Sequence, residues 1–148
     1  MGFKYWHGGH TRHRLSYHVV WVPKYRKRVL RGKVAKKIKE SIYQACIVNR
    51  WWVEELNVMV DHVHMLIQIQ PTLSISKVVQ IIKGGTSRIL RILRMEYPEL
   101  EEFIWGDSFW AEGYFAETVG SRNISEMKRY IKENTQEIMP QQKRNHGL

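Results

Sequence analysis

Asp61-His62-Val63-His64-Met65-Leu66-Ile67-Gln68-Ile69-Gln70 is the stretch on which the fold turns. From His62 onward it alternates. His62, His64, Leu66, Gln68 and Gln70 fall on one side, and Val63, Met65, Ile67 and Ile69 on the other. A period of two is the signature of a half-buried β-strand. The two histidines therefore point the same way from adjacent pleats, roughly 7 Å apart along the strand. They stand with the glutamines, away from the apolar face. Two imidazoles side by side on a polar strand face make half of a divalent-metal site. The competing reading is a pair of surface histidines on an open sheet.

Working outward, residues 51–60 read as a second strand, and Asp61 marks a tight turn, so an antiparallel hairpin is expected. Residues 15–22 alternate and form a first strand. Between them, Val34, Ile38, Ile42, Ala45 and Val48 recur at helical spacing over residues 33–49. After Pro71, Ser74 or Ser76 can cap a second helix that runs to about Met95, before Tyr97-Pro98 stops it. Gly84-Gly85 inside it predicts a kink, or the close approach of a backbone or phosphate. Residues 109–119 read as a fourth strand, bent at Gly113. Residues 124–138 read as a last helix, ended by Pro140.

The first six elements run βαββαβ. This predicts an α+β, ferredoxin-like (RRM-like) antiparallel sheet with its helices on one face, followed by a C-terminal helix carrying Tyr130. The apolar face of the histidine strand should lie under the helices, and His62 and His64 should lie on the open face. Residues 1–14 are expected to be a flexible basic arm, 15–138 a single domain and 139–148 a polar tail.

Lys and Arg outnumber Asp and Glu by 24 to 14, a formal charge of +10. Such an excess in a chain of 148 residues points to a polyanion, nucleic acid before membrane. Lys24, Tyr25, Arg26, Lys27 and Arg28 place cations around an aromatic just after the first strand. Lys83, Arg88 and Arg91 lie on a face of the second helix that has no acid. These eight residues are the expected nucleic-acid contacts, with Tyr25 able to stack a base. Cys46 is the only cysteine, which excludes an intrachain disulfide and a cysteine metal cage. No apolar run approaches the ~20 residues of a membrane span, so no membrane partner is expected, and a cytoplasmic location is. Glu112 and Glu117 read as structural or surface acids.

Tyr130 and Asn134 are four apart on the last helix and share a face. A tyrosine four residues before an amide, together with His-x-His on a strand, is a specific combination. The matching pieces are His18-Val19-Val20-Trp21-Val22-Pro23-Lys24-Tyr25-Arg26, Asp61-His62-Val63-His64-Met65-Leu66 and Lys83-Gly84-Gly85-Thr86-Ser87-Arg88. Phe109-Trp110-Ala111-Glu112-Gly113-Tyr114-Phe115, Thr118-Val119-Gly120 and Tyr130-Ile131 follow in order. Together they run from His18 to Ile131, and over about residues 15–136 the chain resembles the small single-tyrosine HUH transposases of bacterial and archaeal insertion sequences, to which REP-associated tyrosine transposases are related.

The resemblance implies an enzyme that cleaves and rejoins single-stranded DNA at hairpin-bearing element ends, through a 5′-phosphotyrosine intermediate. It implies Tyr130 as nucleophile and His62 and His64 as ligands of Mg²⁺ or Mn²⁺. Family members commonly supply a glutamine four residues after the tyrosine as a third ligand. Here that position is Asn134, one methylene shorter, with Gln136 or a water as the stand-in. It further implies a homodimer in which the tyrosine helix of one chain completes the histidine site of the other. The alternative is a non-catalytic, RRM-like module that binds single-stranded nucleic acid. That reading leaves His62, His64 and Tyr130 without a role. Replication initiators and relaxases share the chemistry but carry extra domains.

Overall fold

The computed structural model describes residues 6–7, 12–13, 15–98, 101, 109–120 and 123–133. Two short strands, β1 (Trp6–His7) and β2 (Arg12–His13), pair antiparallel. The expected flexible arm thus contains a small ribbon. The main elements follow as β3 (Ser16–Trp21), α1 (Gly32–Asn49), β4 (Trp52–Val58), β5 (Val63–Gln68), α2 (Ile75–Glu96), β6 (Phe115–Val119) and α3 (Ile124–Glu133). The four long strands form one antiparallel sheet in the order β4-β5-β3-β6. Numbered within that sheet, the order is second, third, first, fourth, which is the split βαβ arrangement expected.

The alternation of β5 is realised. Val63, Met65, Ile67 and Ile69 enter one core with Val19 and Trp21 of β3, Ile38 and Ile42 of α1, and Val78, Ile82 and Leu90 of α2. The other sheet face carries rows set by register. His18 pairs with Leu66 on one side and with Glu117 on the other. Val20 pairs with His64 and Phe115, and His64 with Asn57. This face is not open. Leu66 and Val119 pack with Ile124 and Ile131 of α3, and Met127 and Tyr130 lie against them. The side-chain amide of Asn57 donates to the Ile131 carbonyl at 3.0 Å and fixes α3 across β4. The sheet is therefore covered on both faces, and His62 and His64 are fully buried rather than displayed.

Ser74 is the cap of α2; its Oγ accepts from the Lys77 N–H at 3.1 Å. Gly84 and Gly85 neither break the helix nor admit a close neighbour. A Cβ at Gly84 would meet nothing within 4 Å, and one at Gly85 would stand 4.0 Å from Ser41 Oγ. They instead leave a groove of about 680 Å³ between α1 and α2, with Arg88 and Arg91 on its wall.

The expected strand over residues 109–119 is shorter than its pattern. Ala111 N–H donates to the Val22 carbonyl, and Trp110 makes a single bridge to Pro23. Pro23 has no N–H to extend that ladder, and Gly113 then turns at φ +82. β6 starts only at Phe115. The intervening segment is held from α2. Lys83 Nζ donates to the carbonyls of Ala111 and Gly113, at 2.9 and 2.6 Å. The Trp110 indole N–H donates to Thr86 Oγ1 at 2.8 Å inside the core.

That last bond yields a stability prediction. Thr86→Val keeps the shape and strands a buried indole N–H, so it should cost about 1–3 kcal/mol in urea unfolding. Thr86→Ser should recover most of the loss. Equal midpoints for wild type and Thr86→Val would contradict the assignment.

Candidate functional site

Three segments deliver three histidines to one place. His62 ends the turn after β4, where its carbonyl accepts from the Met59 N–H at 2.8 Å. His64 is in β5 and His18 in the neighbouring β3. All three are fully buried. The rings of His62 and His64 lie 4.5 Å apart at 72°. Those of His18 and His64 lie nearly coplanar, 5.6 Å and 10° apart, and meet edge to edge with Nε2 of His18 3.3 Å from Nδ1 of His64. Tyr130 descends from α3, its ring 6.0 Å from both His18 and His64. It also walls a cavity of about 430 Å³ lined by Glu117, Asn123, Glu126 and Met127.

Two carboxylates stand behind the rings. Asp61 Oδ1 lies 2.7 Å from His62 Nδ1. A carboxylate only accepts, so that nitrogen carries the proton and His62 Nε2 keeps its lone pair. Asp61 Oδ2 in turn accepts from Arg26 Nε at 3.1 Å. Glu117 Oε1 lies 3.5 Å from His18 Nδ1, close enough to attract and too long for a good hydrogen bond.

Nε2 of His62 and Nε2 of His64 are both buried with no hydrogen-bond partner. Orphaned buried polar atoms are costly, and each calls for an explanation. Two such nitrogens on adjacent rings fit a divalent cation, with Asp61 as the outer partner that usually orients a ligating imidazole. No cluster of three or more His, Cys, Asp or Glu able to hold a metal occurs among the described residues. The expected third donors, Asn134 and Gln136, lie outside them, as does the tail from residue 139.

The expected nucleic-acid contacts divide. Lys24–Arg26 form a 3₁₀ turn in which Tyr25 and Arg26 both have positive φ, 60° and 50°. Tyr25 is 73% exposed, and the Lys24 ammonium lies 5.6 Å from its ring. Lys27 and Arg28 are exposed as well. Arg26 instead points inward to Asp61, and Lys83 is engaged with two carbonyls. Arg88 and Arg91 belong to α2, across the sheet from the histidines. Three residues at the site had no role assigned from sequence: His18, Asp61 and Glu117. His18 alternates with Tyr17 and Val19 as His64 does with its neighbours. Only the strand order places the two histidines on one face.

Several comparisons with known proteins agree. The family model "Transposase IS200 like" matches residues 11–134. The chain is 34% identical over 119 residues to the ISDra2 transposase TnpA of Deinococcus radiodurans, covering 80% of this chain and 83% of that one. It is 30% identical over 128 residues to the transposase for insertion sequence element IS200 of Salmonella typhimurium, covering 86% and 82%. A crystal structure from Deinococcus radiodurans superposes with TM-score 0.66 at 29% identity, over 86% of this chain and 95% of that one. A REP-associated tyrosine transposase bound to a REP hairpin superposes at 0.60 over 84% and 70%; at 10% identity that likeness is one of fold. No helix among the described residues is long and apolar enough to cross a membrane.

Burial sets the charge state of the site. It pushes His64 down to about 3, aided by nearby His62, His18 and Arg26. Burial also lowers His62 against the pull of Asp61, and His18 against that of Glu117. Burial alone would raise Asp61, but the His62 hydrogen bond and Arg26 outweigh it and hold the carboxyl below its usual range. All three rings are thus neutral at pH 7. An unfolded histidine takes up a proton near 6.5, which these folded ones refuse. The unfolded state therefore binds more protons as pH falls below 6.5, and stability declines until the folded value is reached. Metal-free protein in EDTA should lose up to about 1.4 kcal/mol per pH unit from the His64 ring between roughly pH 6 and 4, with His62 and His18 acting in the same direction. Urea midpoints for His64→Phe should show a slope shallower by about one ring's share. An unchanged slope would contradict the buried neutral imidazole.

Proposed function

The chain belongs to the IS200-like transposase family, and on that premise we propose that it cleaves and rejoins single-stranded DNA at hairpin-bearing element ends through Tyr130. The observation that carries this reading is that the Tyr130 ring stands 6.0 Å from that of His64, one of two adjacent buried imidazoles whose Nε2 atoms are orphaned. A phenol with an ordinary pKa near 10 is a poor nucleophile, and an anionic phosphodiester resists attack. Mg²⁺ or Mn²⁺ at the Nε2 atoms of His62 and His64, completed by Asn134 or by Gln136, would supply Lewis-acid polarisation of the phosphoryl oxygen.

The residues of the chain do the rest. The Tyr130 oxygen bonds to phosphorus while the bond from phosphorus to the 3′ oxygen breaks. The phenolic proton is lost, and the departing 3′ oxygen takes one up. The products are a 5′-phosphotyrosine and a free 3′-hydroxyl. The ester bond is conserved, so the 3′-hydroxyl of another strand reverses the step without ATP. Asp61 keeps His62 turned with its lone pair toward the site. Lys24, Lys27 and Arg28 neutralise backbone phosphates, and Tyr25 stacks a base. Arg26 and Lys83 serve that surface by holding its loop and the segment before β6. Arg88 and Arg91 form a separate basic patch on α2, suited to a hairpin stem. The Tyr130 contact can be made within one chain, as here, or between the two chains of a homodimer.

Each strand of both element ends should be incubated with protein and Mn²⁺ or Mg²⁺, then run on denaturing gels. One strand of an end should give a metal-dependent covalent adduct. Tyr130→Phe should abolish the adduct and leave DNA affinity within about threefold. His62→Ala should abolish it too and weaken Mn²⁺ binding at least about tenfold. An adduct surviving in Tyr130→Phe would remove Tyr130 from the mechanism. Binding with neither adduct nor cleavage under any metal would favour the non-catalytic module.

A further inference from the structure

The metal reading uses His62 and His64 and leaves His18 and Glu117 unexplained. His18 is a polar residue, fully buried in β3, an interior strand of the sheet. It does not pack as an isolated ring. Its ring lies within 10° of coplanar with that of His64, and the atoms that meet edge to edge are His18 Nε2 and His64 Nδ1, at 3.3 Å. Between two neutral imidazoles such a contact holds one proton. Either His64 donates and His18 accepts, or the reverse. The two assignments have opposite consequences one bond further on. If His64 Nδ1 carries the proton, His64 Nε2 is a lone pair facing the site. If it does not, His64 Nε2 is an N–H, and the site is blocked on that side.

Glu117 selects between them. Its carboxylate stands 3.5 Å from the far nitrogen of His18, Nδ1, directly across the β3–β6 pairing. A carboxylate attracts an N–H and repels a lone pair. A proton on His18 Nδ1 leaves His18 Nε2 as the acceptor. His64 must then donate from Nδ1, which frees its Nε2. We propose that Glu117 and His18 are positioning residues that hold His64 in the tautomer with Nε2 free for the metal. The inference rests on the reading of His62 and His64 as metal ligands. It assigns to His64 the outer partner that Asp61 provides for His62, extended by one imidazole. The two arms differ in access. Asp61 is tied to Arg26, whereas the Glu117 side chain is 38% exposed at the sheet edge.

The test needs no turnover. In metal-free wild type, ¹⁵N–¹H spectra of the histidine rings at neutral pH should show the His64 proton on Nδ1. His18→Phe keeps an aromatic ring and loses the acceptor; it should weaken Mn²⁺ binding by calorimetry roughly 10–100-fold and mix the His64 tautomers. His18→Gln restores an acceptor at the position of Nε2 and should return affinity to within about threefold of wild type. Glu117→Gln, at the exposed edge, should fold normally, weaken Mn²⁺ binding several-fold and also mix the tautomers. A His64 proton on Nε2 in wild type overturns the proposal, as does wild-type affinity in His18→Phe. If His18→Phe does not fold, Glu117→Gln and the wild-type spectrum decide. Failure of the metal reading would look different: wild type and His62→Ala would bind Mn²⁺ equally poorly, while the His64 tautomer would still be read directly.

Discussion

β5 lies between β3 and β4 with both of its faces buried, and its register against β3 decides which atoms meet. Val20 opposite His64 and His18 opposite Leu66 place the two imidazoles as diagonal neighbours on one face. A slip of one residue would turn His64 into the aliphatic core and bring Met65 to Tyr130. That slip is opposed along the whole strand, because Val63, Met65, Ile67 and Ile69 all fill the core under α1 and α2. The hydrophobic effect on one face therefore fixes the polar geometry on the other. α3 closes the arrangement through Ile124 and Ile131 over Leu66, which carries Tyr130 to the same place.

The cost of this design is a cluster of polar rings in a dry interior. Three charged imidazoles at these separations would repel one another without solvent to screen them. Burial resolves the conflict by keeping the rings neutral, which also leaves nitrogen lone pairs available. The compensating charges sit at the rim. Asp61 and Glu117 are each partly solvated, so each retains its charge at lower cost than a carboxylate in the core. The interior thus holds the neutral donors, and the periphery holds the charges that orient them.

Much of this was legible from local pattern. Period two in residues 62–70 separates an aliphatic face from a polar one, helical spacing in residues 33–49 and from Ser74 or Ser76 to about Met95 reflects burial of single faces, and strand order followed from element order. The same period puts His62 and His64 on one face of the strand, whereas the role of Tyr130 is implied by the family resemblance and not by local pattern. What escaped depended on contacts between distant segments. The histidine face was expected to be open, yet α3 covers it, since nothing in β5 records what lies above Leu66. His18 became part of the site only once β3 lay beside β5. Arg26 and Lys83 look like surface cations in sequence, and only tertiary contact shows their donors aimed at Asp61 and at the carbonyls before β6. Residues 109–119 alternate like one strand, but Pro23 opposite Trp110 and the turn at Gly113 end the pairing early.

The turn after β3 links the surface to the interior. Tyr25 and Arg26 both hold left-handed backbone, a conformation that costs a non-glycine residue on the order of 1 kcal/mol or more. Such a pair persists only where surrounding contacts over-determine it. Here Arg26 N–H donates to the Pro23 carbonyl, Lys24 N–H to that of Phe109, and the Arg26 guanidinium to Asp61. The same backbone that presents Tyr25 to solvent thus anchors the carboxylate that orients His62. Relaxing Tyr25 and Arg26 to ordinary φ would swing Arg26 away from Asp61 and leave that carboxylate partnered by His62 alone. The Tyr25 turn and the electrostatics of His62 are thus joined through the Arg26–Asp61 pair. The strain is best understood as the consequence of serving both surfaces with adjacent residues: one must point out and the next must point in.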